Sequence, residues 1–245
     1  MNSAEGVGDV GPNGAFAALL LAGGHSRRMG VDKAFLKWQG RPLWQRQADL
    51  LSSLEPAQVL ISARREQEAG FAHAAYGGAA APIGHIGPIR PIGHTDPVAP
   101  ACAAAPTTPW QWLYDPTPEY SPLEAIAAAL AATSDTALLV LAVDLPQMHA
   151  DVLRALLDHW RHTGRGLVYT MDDGVAQPLT AIYPAGFRSL IADFARQRNL
   201  RLQALVREGA TRGWLDLQPL PEPWIPAFLN TNTPEEWNQA RQPPP

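Results

Sequence analysis

A continuous apolar run, Phe16-Ala17-Ala18-Leu19-Leu20-Leu21, passes directly into Ala22-Gly23-Gly24-His25-Ser26-Arg27-Arg28-Met29-Gly30-Val31-Asp32-Lys33. The run has no helical period, the pattern of a central parallel strand buried on both faces. A glycine pair must then turn the chain at the carboxyl end of that strand. Lacking Cβ atoms, Gly23 and Gly24 let backbone N–H groups close on phosphate oxygens in a concave nest. Ser26 can cap the turn that follows. Arg27, Arg28 and Lys33 bring fixed positive charge to a place where a triphosphate would repel itself, which gives Lys33 and Arg28 candidate catalytic roles. A Gly-Gly turn that merely ends a strand is the plainer alternative. Here the pattern continues to Lys33, and it is neither a Walker loop nor the dinucleotide Gly-x-Gly-x-x-Gly.

With 245 residues, 46% of them apolar, the chain can supply the core of one large α/β domain. A formal charge of −4 and a pI near 6.0 argue against nucleic acid as the principal partner. The positive charge is local, and one of the two lysines, Lys33 and Lys37, lies inside the glycine-rich motif. Cys102 is the single cysteine, so the chain cannot form an internal disulfide or a cysteine-built zinc site, and a cytoplasmic location fits. Residues 1–14 read as a disordered leader without the features of a secretory signal, and 242–245 as a tail. No apolar run approaches the roughly 20 residues needed to cross a bilayer, so no membrane partner is expected.

The remaining pattern alternates strands and helices. Ala34 to Trp38 reads as a short strand, and Pro42 opens an amphipathic helix through Leu54 at a position where its missing N–H costs little. Gln58 to Ser62 is a second parallel strand, which makes a βαβ unit. From 70 to 109 the composition shifts to Ala, Gly, Pro and His, with an echo of Pro82-Ile83-Gly84-His85 in Pro91-Ile92-Gly93-His94, and reads as an insertion or flap. His73, His85 and His94 lack carboxylate or thiolate partners at ligand spacing and read as loop histidines rather than a metal cluster. Trp110 to Tyr114 is a strand ending at Asp115, and Pro122 to Thr133 a helix. Thr136 to Val143 is the clearest buried strand and delivers Asp144 to its end, ahead of a helix from Ala150 to His162. Two strands follow around Asp172-Asp173-Gly174, then a helix with the apolar face Phe187, Leu190, Ile191 and Phe194. Arg188, Arg196, Arg198, Arg201 and Arg207 lie on or just beyond that helix, read as a solvated face with contact to an anionic ligand as the alternative. Thr233 can cap a last helix begun by Pro234.

The expected architecture is α/β, a Rossmann-like doubly wound and mostly parallel sheet, with domain limits at 15–241. In such sheets ligands sit beyond the carboxyl ends of the strands. The Gly23-Gly24 loop, Ser62, Asp115 and Asp144 fall at such ends. A triphosphate requires Mg²⁺, which keeps waters and needs only one or two carboxylates besides phosphate oxygens, and Asp144 is the candidate ligand. The chemistry is attack by an acceptor on the α-phosphorus with loss of pyrophosphate, which needs alignment and charge stabilisation. A phosphate acceptor, already ionised at pH 7, needs no general base.

The motif Leu-Ala-Gly-Gly-x-Ser-x-Arg-Met-Gly-x-Asp-Lys, continued by Ala34-Phe35-Leu36-Lys37-Trp38-Gln39-Gly40-Arg41-Pro42-Leu43, resembles the signature of the molybdenum cofactor guanylyltransferases, nucleotidyltransferases of the nucleotide-diphospho-sugar transferase type of fold. The resemblance implies transfer of GMP from Mg·GTP to the phosphate of molybdopterin cofactor. It implies that Leu21, Ala22 and Gly23 line the nucleotide site, that Lys33 meets its phosphates, that Asp115 contacts the nucleotide and that Asp144 holds Mg²⁺; Gly24, Ser26 and Ser62 join the nucleotide-site candidates from their own places in the loop and at the strand end. Asn230 and Asn232 would lie on the acceptor side. Gly23 leans toward guanine, because related cytidylyltransferases carry Leu-Ala-Ala-Gly there. Implied partners are GTP, molybdopterin cofactor, and the chaperones or biosynthetic proteins that handle the finished cofactor. Two departures stand out. Ser121-Pro122-Leu123-Glu124-Ala125 replaces the family's Gly-Pro-Leu-Ala-Gly, and Ser62 stands where an asparagine is common. Another nucleotidyltransferase using CTP or a sugar phosphate, and a GTP-binding regulator without turnover, are the alternatives.

Overall fold

The computed structural model describes residues 14–24, 31–71, 110–114, 121–231 and 233–240. In chain order its strands are β1 (Phe16–Leu21), β2 (Lys37–Trp38), β3 (Arg41–Pro42), β4 (Gln58–Ala63), β5 (Trp110–Tyr114), β6 (Ala137–Ala142), β7 (Gly166–Thr170), β8 (Ala176–Pro184) and β9 (Leu215–Pro219). The helices are α1 (Leu43–Ser52), α2 (Pro122–Ala132), α3 (Ala150–Thr163), α4 (Arg188–Arg196), α5 (Leu202–Thr211) and α6 (Pro234–Ala240). Seven strands form one sheet in the order β5-β4-β1-β6-β8-β7-β9, in which β8 alone runs against the others. β2 and β3 make a separate antiparallel ribbon.

All six residues of β1 and all six of β6 are buried, as two-sided strands at the centre of a parallel sheet require. Alternate side chains feed two cores. Leu20, Ile61 and Leu139 pack with Trp44 of α1 and Trp160 of α3, while Leu19, Leu138 and Tyr183 pack with Ile126 of α2 and Val206 of α5. Helices thus cover both faces, and the expected doubly wound sheet is the observed one. Trp44 is the hub of an aromatic cluster, 5.3 Å from Phe71, 5.8 Å from Trp110 and 5.5 Å from Trp112 between ring centroids. Such pairs add favourable edge-to-face contacts to the burial of apolar area, and they fix α1 beneath β4 and β5.

Four local expectations are corrected. Ala34 does not begin a strand, because the Asp32 carboxylate accepts the Ala34 N–H at 3.1 Å and draws Lys33–Phe35 into a 3₁₀ turn. Pro42 is extended, at φ −57° and ψ 140°, and pairs with Lys37, so it precedes the helix instead of opening it. That helix ends at Ser52, and Glu55 takes a left-handed φ of 58° as the chain turns toward β4. Past the helix bearing Phe194, the chain builds a further helix, α5, and the edge strand β9. The short alternation Leu215-Asp216-Leu217 gave β9 too weak a signal. Thr233 caps α6 as anticipated: its hydroxyl accepts the Glu236 N–H at 3.2 Å, and the Glu236 carboxylate accepts the Thr233 N–H at 3.2 Å.

Residues 1–13 of the expected leader, the segment from residue 72 to 109 with its histidines and Cys102, and the tail lie outside the described residues. So do Ser26, Arg28, Asp115 and Asn232.

Candidate active site

The site forms where β1, β4 and β6 end together. The Val143 N–H donates to the Leu21 carbonyl at 3.1 Å, and the Ala22 N–H to the Ser62 carbonyl at 2.8 Å, so the three chains leave the sheet in register. Beyond Leu21 the chain reaches Gly23 and Gly24, whose N–H groups donate to no protein group among the described residues. A Cβ placed on Gly24 would meet nothing within 4 Å among those residues, so open space lies over this part of the backbone.

Lys33 and Asp144, 111 residues apart in sequence, are joined here: Lys33 Nζ donates to Asp144 Oδ2 at 3.3 Å, with both side chains largely buried. Several contacts hold Asp144 and its loop. Its carbonyl accepts the Thr231 N–H at 3.3 Å, Gln47 of α1 donates to the Leu145 carbonyl at 2.5 Å, and both terminal nitrogens of Arg46 reach the Met148 carbonyl at 3.3 Å. A carboxylate whose backbone is held from two separate segments and whose oxygen meets Lys33 is pre-organised, which is what charge stabilisation during a reaction demands.

A second charged group sits under the glycines. Arg64, just past β4, donates through Nε to the Gly23 carbonyl at 2.8 Å and through Nη2 to Asp32 Oδ2 at 2.9 Å. Gln67 donates to the Ala22 carbonyl at 2.9 Å and to the same Asp32 oxygen at 2.7 Å, while its own carbonyl oxygen accepts the Arg64 N–H at 2.8 Å. The sequence reading did not single out Arg64 or Gln67. The available signal was a long cationic side chain just beyond a strand that neighbours the glycine-bearing one.

Asp144 also lines a cavity of about 450 Å³, within the size range of small-molecule sites. Gln177 and Thr180 of β8, Arg201, Gln203 and Arg207 in and around α5, and Asn230 are among its lining residues. The first turn of α5 faces this space, and its N-cap residue, Arg201, makes no side-chain capping bond. Helix N-termini carry partial positive charge. Together with two guanidinium groups, this end of the cavity suits an anion.

The sequence-derived candidates therefore separate. Lys33 meets Asp144, Asn230 shares the cavity lining with Asp144, and Gly23 and Gly24 follow β1, whose last residue is bonded to Val143 just before Asp144. Leu21, Ala22 and Ser62 are buried, and backbone groups of all three are engaged inside the protein. Of the arginines read as a solvated face, Arg188 donates to the Thr133 carbonyl at 2.8 Å and Arg196 pairs with Asp193, whereas Arg201 and Arg207 line the cavity. The departure at 121–125 has a local explanation. Ser121 caps α2 by accepting the Glu124 N–H at 3.4 Å, and the Glu124 carboxylate is paired with Arg198 at 3.2 Å, which offsets the charge it introduces.

The profile of the MobA-like NTP transferase domain matches residues 18–212. The chain belongs to that family. It is accordingly a nucleotidyltransferase. Among its relatives, the molybdenum cofactor guanylyltransferase of Xanthomonas euvesicatoria is 26% identical over 91% of this chain and 93% of its own. The "Probable molybdenum cofactor guanylyltransferase" of Opitutus terrae is 30% identical over 93% of this chain and 96% of its own. In fold, the molybdopterin-guanine dinucleotide biosynthesis protein A of Archaeoglobus fulgidus superposes with a TM-score of 0.61 at 19% identity, covering 92% of this chain and 96% of that one. Among the described residues, no helix is long and apolar enough to cross a membrane.

Proposed function

We propose that this nucleotidyltransferase transfers GMP from Mg·GTP to the phosphate of molybdopterin cofactor, forming the guanine dinucleotide and releasing pyrophosphate. The observation that carries the reading is the double role of Asp144. It pairs with Lys33 at the end bearing the glycines and also lines the cavity that holds Arg201, Arg207 and Asn230. A triphosphate at the first end and an anionic acceptor in the second would meet at this carboxylate. The names of the relatives and the glycine at position 23 favour guanine and molybdopterin as the two substrates.

The residues suit Mg²⁺ delivered with a nucleotide. Among the described residues no three His, Cys, Asp or Glu side chains gather to hold a metal on their own. Asp144 offers one hard carboxylate, and Mg²⁺ takes its remaining oxygens from phosphate and water. Once bound, the ion neutralises charge on the phosphates. Lys33 bears on the triphosphate as a mobile point charge, and the amides of Gly23 and Gly24 are available to its oxygens. Arg201, Arg207 and the first turn of α5 hold the acceptor phosphate, one of whose oxygens bonds to the α-phosphorus as the bond from that phosphorus to the pyrophosphate oxygen breaks. The acceptor is ionised beforehand, so no side chain needs to remove a proton.

The test is to supply purified protein with the Mg²⁺ complex of GTP, CTP or ATP, with and without molybdopterin cofactor, and to measure pyrophosphate and product mass. The reading requires the guanine dinucleotide, formed only when both substrates are present. The cytosine dinucleotide would move the chain to the sister activity, and tight GTP binding without product would favour the regulator.

A further inference from the structure

Arg64 and Gln67 touch neither the Lys33–Asp144 pair nor the cavity in any contact described above, yet both are committed to the chain segments that flank the glycine-rich loop. We propose that Arg64, supported by Gln67, is a positioning residue for the nucleotide: it clamps the two ends of that loop together and sets the backbone orientation on which triphosphate binding depends. The inference rests on the nucleotidyltransferase reading and deepens it. The clamp has one element from each end of the loop. Gly23 and Ala22, where the chain leaves β1, offer carbonyls, and Asp32, immediately before Lys33, offers a carboxylate. The guanidinium fork of Arg64 spans both, with distances of 2.8 and 2.9 Å from adjacent nitrogens, and Gln67 repeats the bridge with its single amide nitrogen at 2.9 and 2.7 Å.

Two consequences follow from peptide planarity and charge. A carbonyl held on one side of a peptide unit directs the following N–H to the other side. Anchoring the Ala22 and Gly23 carbonyls on the clamp therefore turns the N–H groups of Gly23 and Gly24 away from it, and those are the amides without a protein partner among the described residues. Asp32 meanwhile caps the 3₁₀ turn that starts with Lys33 by accepting the Ala34 N–H. Holding its other oxygen fixes where Lys33 begins its reach to Asp144. Arg64 also neutralises the Asp32 carboxylate, which would otherwise repel phosphate from close by. Lysine keeps the charge but not the fork.

The experiment compares Arg64→Lys, Arg64→Ala and Gln67→Met with the wild type. It measures the Kd for Mg·GTP, the KM for the acceptor, Tm, and amide hydrogen exchange at Ala34 in the unliganded protein. The clamp predicts that Arg64→Lys weakens Mg·GTP binding by about tenfold or more, with faster exchange at Ala34, whose amide Asp32 caps, and an unchanged acceptor KM and Tm. Arg64→Ala should be weaker still, and Gln67→Met should show the same pattern at smaller size. Wild-type affinity in Arg64→Lys would overturn the proposal by reducing Arg64 to a charge. Parallel losses of Tm and of affinity for both substrates would overturn it by reducing Arg64 to a stabilising residue. A wild-type protein that binds no nucleoside triphosphate would bring down the functional reading, and this proposal with it, even if exchange at Ala34 still rose in the variants.

Discussion

The two ends of the site are built by different means. The glycine-bearing end is tied down by short polar contacts: Arg64 and Gln67 on the Ala22 and Gly23 carbonyls and on Asp32, and Lys33 on Asp144. The cavity end is shaped by packing. Antiparallel β8 supplies Gln177 and Thr180, and α5 is seated against β8 partly by Gln203, whose amide donates to the Ala176 carbonyl at 2.8 Å. Arg201 and Arg207 are presented from that helix and its N-cap. The contrast suits the two ligands proposed. A triphosphate is a uniform anionic chain, recognised by backbone amides and fixed charges with little tolerance for displacement. An organic acceptor needs volume and a few anchoring groups. Asp144 belongs to both ends, so it is where the contrast can be tested most severely.

Replacing Asp144 with alanine should have the largest effect. Turnover is expected to fall by about a thousandfold, at the upper end of what losing one pre-organised group costs, while circular dichroism and Tm stay near wild type. Retained activity would remove Asp144 from the reaction. Lys33→Ala comes next. Loss of a charge-assisted contact should weaken Mg·GTP binding by about 10- to 100-fold, measured by titration calorimetry, with the acceptor KM little changed. Arg207→Ala is the smallest and the mirror image: the acceptor KM should rise by about tenfold in steady-state pyrophosphate release, at constant nucleotide affinity. If Lys33→Ala and Arg207→Ala shifted both substrates equally, the division into two ends would collapse.

The same contrast governs what could be read from the chain. The strand before Gly23, the loop and Lys33 lie in one contiguous motif, and Asp144 follows an apolar run that declares itself as a buried strand. Local pattern was sufficient for these. Arg64 and Gln67 sit in the polar stretch Ala63-Arg64-Arg65-Glu66-Gln67, where nothing local distinguishes the inward-committed residues from Arg65 and Glu66, which are exposed. Their roles appear only when β4 lies beside β1. Arg201 and Arg207 resembled an ordinary charged face because α5 itself was not anticipated, and because the direction of β8, which shapes the cavity wall, is a tertiary property. Glu124 is a similar case. The partner of its carboxylate, Arg198, lies 74 residues away in sequence. Residues in a contiguous motif or at the end of a plainly apolar strand were legible, and those without such a local signal, whose role depends on partners on other elements, were not.

Whether nucleotide and acceptor meet at Asp144, one from the glycine-bearing end and the other from the cavity, is decided by a crystal structure of the protein with Mg²⁺ and a non-hydrolysable GTP analogue. Triphosphate oxygens are expected on the amides of Gly23 and Gly24, Lys33 on the phosphates, Asp144 bound to the metal, and the cavity at Arg201 and Arg207 left for the second substrate. A nucleotide seated in that cavity, with Lys33 still paired to Asp144, would contradict that arrangement.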